Sequence, residues 1–194
     1  MTTRITGRIV ASAVLLCGVA AGAAAQDMPQ TPPPQVPQVP KDTPADPRIE
    51  RARSAALPNI SAEATIRTVS GEVLHQGSNE WVCMPDLNQT PACLDPVWMK
   101  FLEAFAGKQP FTTDKMGFAH MLQPDEMAVN NADPFDTTRD PGETWVQEGP
   151  HLMIIFPDAR ILESFAAEPT NGKPYVMWQG TPYAHLMVPV GERP

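Results

Sequence analysis

Two copies of one triplet, His151-Leu152-Met153 and His185-Leu186-Met187, carry side chains able to do chemistry. Each lies in an apolar, strand-like run. Residues two apart in a strand share a face, so each histidine points the same way as its methionine. If the two runs lie near each other, two imidazoles and two thioethers converge. Soft sulfur with imidazole nitrogen suits copper, Cu(I) in particular. His120-Met121 is a third pairing, but adjacent strand residues face opposite sides, so only one of the two can join. His75 is the remaining candidate.

These residues also have plainer explanations. Methionine fills irregular gaps in cores, and ten methionines in 194 residues do not make a metal-binding tract. A histidine in an apolar strand is commonly a buried, hydrogen-bonded neutral imidazole. A third role is acid–base chemistry: His151 or His185 as the general base of a metal-free hydrolase, oriented by an acid from residues 125–143. That scheme lacks a nucleophile. There is no Gly-x-Ser-x-Gly elbow, and no His-Glu-x-x-His, phosphate-loop or dinucleotide-loop motif. Catalytic residues therefore stay unassigned. Trp81, Trp145, Trp178, Tyr175 and Tyr183 can line a groove for a small molecule or peptide, with core packing as the competing explanation. The expected function is a non-enzymatic binding or interaction module for an unknown small molecule or protein. Copper binding and hydrolysis are the alternatives, with copper as the candidate cofactor.

The amino terminus reads as an export signal. Arg4 and Arg8 precede an apolar run, Ile9 to Val19, that is short for a membrane span. Ala23-Ala24-Ala25 then suits a peptidase, with cleavage after Ala25. Leu16 before Cys17 argues against lipidation. The expected product is periplasmic or secreted. The full chain carries 14 Lys+Arg against 22 Asp+Glu, a net charge of −8, and losing Arg4 and Arg8 makes it more acidic still. No basic footprint for nucleic acid remains. Cys83 and Cys93 are the two cysteines left after the signal, and an oxidising compartment predicts that they pair. Nine residues between them do not make a Cys-x-x-Cys redox motif.

These side chains need a scaffold. Residues 26–47 hold eight of the 23 prolines and read as a tether. A single domain is expected over residues 48–194. Asp46-Pro47 and Asp95-Pro96 are helix-start signals. Val97, Trp98, Phe101, Leu102 and Phe105 follow the second at helical spacing, and Gly107 ends it. Residues 64–69 and 72–76 read as a hairpin about Ser70-Gly71. Trp81-Val82-Cys83 leads into a disulfide-closed loop, and residues 115–122 read as a strand. The acidic stretch 124–142 is a long loop whose calcium reading fits no EF-hand spacing. Residues 144–147 are a short strand, and 151–156, apolar on both faces, a central one. A short helix runs to Phe165. Residues 175–178 and 183–188 close the sheet. The count is six or seven strands and two or three helices. The fold class is α+β: a mainly antiparallel sheet with short helices packed on it and one disulfide.

Trp81-Val-Cys-Met-Pro85, Gly149-Pro-His-Leu-Met153 and the run from Tyr175 to Met187 together resemble a group of small exported bacterial proteins of uncharacterised function. The resemblance covers about residues 64 to 190. It implies a location outside the cytoplasm and carries no activity.

Overall fold

Capping chemistry starts the helices where the sequence predicts them. The computed structural model describes residues 46–170 and 172–194. The export signal, its cleavage point and the tether up to residue 45 lie outside the described residues. Helix α1 (Pro47–Arg53) opens with the Asp46 carboxylate accepting from the Arg48 amide, so Asp46 and Pro47 start the fold rather than end the tether. A single turn, α2 (Pro58–Ser61), follows. Helix α3 (Pro96–Ala106) is capped by Asp95, whose Oδ1 accepts from the Val97 and Trp98 amides at 2.9 and 2.8 Å. Asp95 Oδ2 accepts from the Phe118 amide at 2.7 Å. One carboxylate thereby ends the helix and ties it to strand β5 (Gly117–Met121).

The strands are β1 (Thr65–Arg67), β2 (Val73–His75), β3 (Val82–Leu87), β4 (Thr90–Leu94), β5, β8 (His151–Ile155), β9 (Tyr175–Met177) and β10 (His185–Pro189). They form one eight-stranded sheet in the order β2-β1-β3-β4-β5-β8-β10-β9. Every neighbouring pair is antiparallel except β1 with β3. β6 (Val129–Asn130) and β7 (Trp145–Val146) pair separately. The architecture is α+β, as expected.

Two local expectations need correction. Residues 84–92 are not a loop: β3 and β4 form a hairpin. Its two turn residues, Asn88 and Gln89, have φ of 48° and 65°, the left-handed pair that a tight two-residue hairpin turn requires. Cys83 stands opposite Cys93 and is bonded to it. The helix expected before Phe165 is a 3-10 helix, Ala159–Ser164.

Helices cover both faces. α3 lies on the face built from Met84, Ala92, Leu94, Ala119, Met121, Met153, Met177 and Met187. Its Trp98 and Phe101 are almost wholly buried, each contributing about 1.5–3 kcal/mol by leaving water. Gly117 lets the helix sit close, because a Cβ there would meet Val97 Cγ1 at 2.8 Å. On the other face, α1 covers Ile66 and the disulfide, and Leu162 of the 3-10 helix covers Val176 and Leu186. Among the described residues no helix is long and apolar enough to cross a membrane.

Candidate functional site

Strand register decides which side chains meet beneath α3. Met153 on β8 stands opposite Met187 on β10. His151 stands opposite Met121 on β5, and His185 opposite Met177 on β9. Directly opposed residues of an antiparallel pair share a face. Two imidazoles and four thioethers therefore lie on one side of the sheet. With Trp98, Phe101, Leu102 and Phe105 of α3 they line a cavity of about 140 Å3. Leu87, Asn88, Asp125, Val129 and Trp178 complete its wall.

All four metal candidates from the sequence, His151, Met153, His185 and Met187, line this cavity. They form a row rather than a tight cluster. His151 pairs with Pro189, four residues along β10 from His185, which is about 13 Å at ~3.3 Å per residue. The Met153–Met187 pair lies between the two histidines.

Both imidazoles are held the same way. His151 Nδ1 is 2.8 Å from the Gly149 carbonyl oxygen, and His185 Nδ1 is 2.9 Å from that of Tyr183. A carbonyl only accepts, so each ring donates a proton from Nδ1. His185 Nε2 is buried without a hydrogen-bond partner. Rings of Trp98 and Trp178 stand nearly perpendicular to His185, with centroids 5.2 and 5.0 Å away. Burial pushes the His185 pKa down to about 4, and the neighbouring His151 adds to the shift, against the Tyr183 hydrogen bond. His185 is therefore neutral at ordinary pH.

Trp178 has φ of 58°, a left-handed conformation that a bulky side chain rarely adopts. Residues from the 124–142 stretch hold it there. The Asn131 carbonyl accepts from the Trp178 amide at 2.8 Å, and the Asn130 carbonyl accepts from its indole Nε1 at 2.9 Å. Phe105 stacks on both Trp178 and Phe135. The long acidic stretch thus builds an aromatic wall. Among the described residues, no three His, Cys, Asp or Glu side chains are placed to hold a metal ion. Two acidic residues of the stretch are engaged elsewhere: Glu126 pairs with Arg51, and Asp136 accepts from Asn130 and Thr138.

Of that stretch, Asp125 lines the cavity with His151. Burial raises its carboxyl pKa, opposed by His151 and by the Glu148 amide. A carboxyl and an imidazole therefore line the same cavity. However, both Nδ1 atoms face backbone carbonyls rather than carboxylates, and no Ser, Thr, Cys or Lys lines the cavity.

The remaining candidates lie elsewhere. Met121 joins the cavity, while His120 turns to the other face and meets Trp81 edge-on at 5.4 Å. His75 is exposed on edge strand β2. The five aromatic residues do not form one groove. Only Trp178 lines the cavity; Tyr175 is buried against Glu148, Tyr183 packs on Phe101 and Phe105, and Trp145 lies under Arg139. Sequence reasoning missed Met177, whose place depends on β9 pairing with β10, and did not connect Trp98 with the histidines. Comparison of the chain with protein-family profiles, with characterised proteins and with solved structures finds no match.

Proposed function

We propose that this protein is an exported, non-enzymatic binding module that takes its ligand in the cavity between α3 and the sheet. The observation that carries the reading is the cavity itself, about 140 Å3 and walled by aromatic rings, thioethers and two imidazoles. An apolar cavity of this order stays dry and accepts a single aromatic ring. The wall's lack of a hydroxyl, thiol or amine nucleophile favours binding over hydrolysis. Export is supported by the basic and apolar residues of the amino terminus and by the Cys83–Cys93 disulfide, a bond that persists in oxidising compartments.

The test is thermal unfolding with indole or phenol as probes. At a concentration near 100 times Kd, binding adds about 2.7 kcal/mol, or roughly 5–10 °C in Tm for a domain of this size. Leu102→Trp fills the cavity from the α3 side and should abolish the shift. If neither probe shifts Tm and both leave tryptophan fluorescence unchanged, the reading fails.

A further inference from the structure

We infer that the His185 end of the cavity binds one soft monovalent cation, Cu(I), through His185 Nε2 and the sulfurs of Met177 and Met187. The inference rests on the cavity being the ligand site and names what that site holds.

Four observations converge on it. First, His185 Nε2 is buried and unpartnered, whereas buried polar atoms are nearly always bonded. Second, the Nδ1–H bond to the Tyr183 carbonyl is the outer-shell bond that fixes tautomer and ring orientation in metal-ligating histidines. Third, Met177 is the direct cross-strand partner of His185, and Met187 lies two residues on, on the same face. Cβ spacings of about 5 and 7 Å follow, within reach of flexible thioethers. Fourth, the donor set is one neutral nitrogen and two thioethers, with Trp98 and Trp178 flanking the imidazole. Thioether sulfur selects Cu(I) over harder cations, and indole rings favour a positive charge.

The His151 end has thioethers too, Met121 opposite it and Met153 two residues on, but it differs in two ways: Asp125 lines the wall beside it, and among the described residues the buried, unpartnered imidazole nitrogen is that of His185.

The experiment is anaerobic titration of the mature, disulfide-intact protein with Cu(I) in ascorbate, against a chromophoric Cu(I) chelator. Indole binding is measured on the same samples. Thiol labelling confirms that Cys83 and Cys93 stay paired. The expected result is one Cu(I) per chain, quenched tryptophan fluorescence, and X-ray absorption showing two sulfurs and one nitrogen. Loss of an outer-shell partner costs about 10–100-fold in affinity, so His185→Ala should cost at least that. Met177→Leu and Met187→Leu, which conserve volume, should each cost about 10-fold or more, and His151→Ala should leave affinity within a few-fold. A protein that binds indole but takes up no Cu(I) overturns the metal inference and leaves the binding-module reading standing. Failure to bind either probe overturns both. Uptake that survives His185→Ala, or falls equally with His151→Ala, overturns the ligand assignment.

Discussion

Met153 and Met187 stand directly opposite each other on β8 and β10, and each follows a histidine by two residues. Because the strands are antiparallel, the repeated triplet forms a local two-fold arrangement, with a methionine pair at its centre and a histidine at either end. The surroundings break that symmetry. His185 lies among Trp98, Phe101 and Trp178, while His151 shares its part of the wall with Asp125 and Met121. The two histidines should therefore behave differently in every measurement that resolves them.

The first such measurement is stability against pH. In the unfolded chain His185 takes a proton near pH 6.5, but in the fold it stays neutral down to about pH 4. The unfolded state then binds more protons between those values, so stability rises with pH there. The contribution is fully present above about pH 6.5 and is lost as pH falls toward 4, by about 3 kcal/mol. Urea unfolding across pH 4–8 should show this slope in the parent and a flatter one in His185→Leu. Every other titrating group is common to both proteins, so the difference between the curves isolates His185. Parallel curves would refute the assignment.

Asp95 holds α3 at two points. Its Oδ1 caps the helix, and its Oδ2 accepts from the Phe118 amide. Removing a cap costs about 1 kcal/mol, and the stranded, part-buried Phe118 N–H adds about 1–3 kcal/mol. Asp95→Ala should lower stability by roughly 2–4 kcal/mol in urea unfolding. Asp95→Asn retains an oxygen for the helix amides but places an NH2 group where Phe118 donates, so it should fall between parent and alanine. An Asp95→Asn variant as stable as the parent would show that the Phe118 bond contributes nothing.

Glu148 is nearly inaccessible, with a side chain only 1% exposed. Its Oε1 accepts from the Tyr175 hydroxyl at 2.8 Å and from Arg193. Removing one partner of a buried ion pair costs about 3–5 kcal/mol, because the other charge is left uncompensated. Arg193 is a quarter exposed, which puts Arg193→Ala at the low end, near 3 kcal/mol. Glu148→Gln on top of it should recover part of the loss. Calorimetry of the two single variants and the double variant checks this, and additive losses would argue against the pair.

The Cys83–Cys93 bond joins the two strands of the β3–β4 hairpin, with a sequence separation of 10. Closing a loop that short stabilises by about 2–3 kcal/mol in the chain-entropy account. The unreduced, denatured protein should show no free thiol. The double variant Cys83→Ala/Cys93→Ala should fold with stability lowered by about that amount. Two labelled thiols in the unreduced protein would overturn the bond.

Much of the local structure is legible without coordinates. Asp46-Pro47 and Asp95-Pro96 mark helix starts because a short acidic side chain accepts from orphan amides and proline suits the first turn. Val97, Trp98 and Phe101 mark the buried side of α3 by their spacing. β4 was not legible. Asn88-Gln89 is a poor advertisement for a tight turn, since glycine usually takes one of those left-handed positions. The 124–142 stretch was misleading for a related reason. Its acidic residues draw attention, while its work is done by backbone carbonyls of Asn130 and Asn131 and by Phe135, which have no sequence signature.

What the sequence alone determined is one-dimensional. Period two in His151-Leu-Met153 and His185-Leu-Met187 puts each histidine and methionine on one face of its strand, whatever the strand's neighbours. Whether the two faces coincide was decided only by the tertiary structure, which set β8 beside β10 in the register that opposes Met153 to Met187. The same register brought Met121 and Met177 to the histidines and split His151 from His185. A shift of one residue would have turned one triplet to the opposite face. Register is set by packing many side chains at once against α3 on one face and against α1 and the 3-10 helix on the other. That information is spread over the whole chain, and no short stretch of it carries the answer.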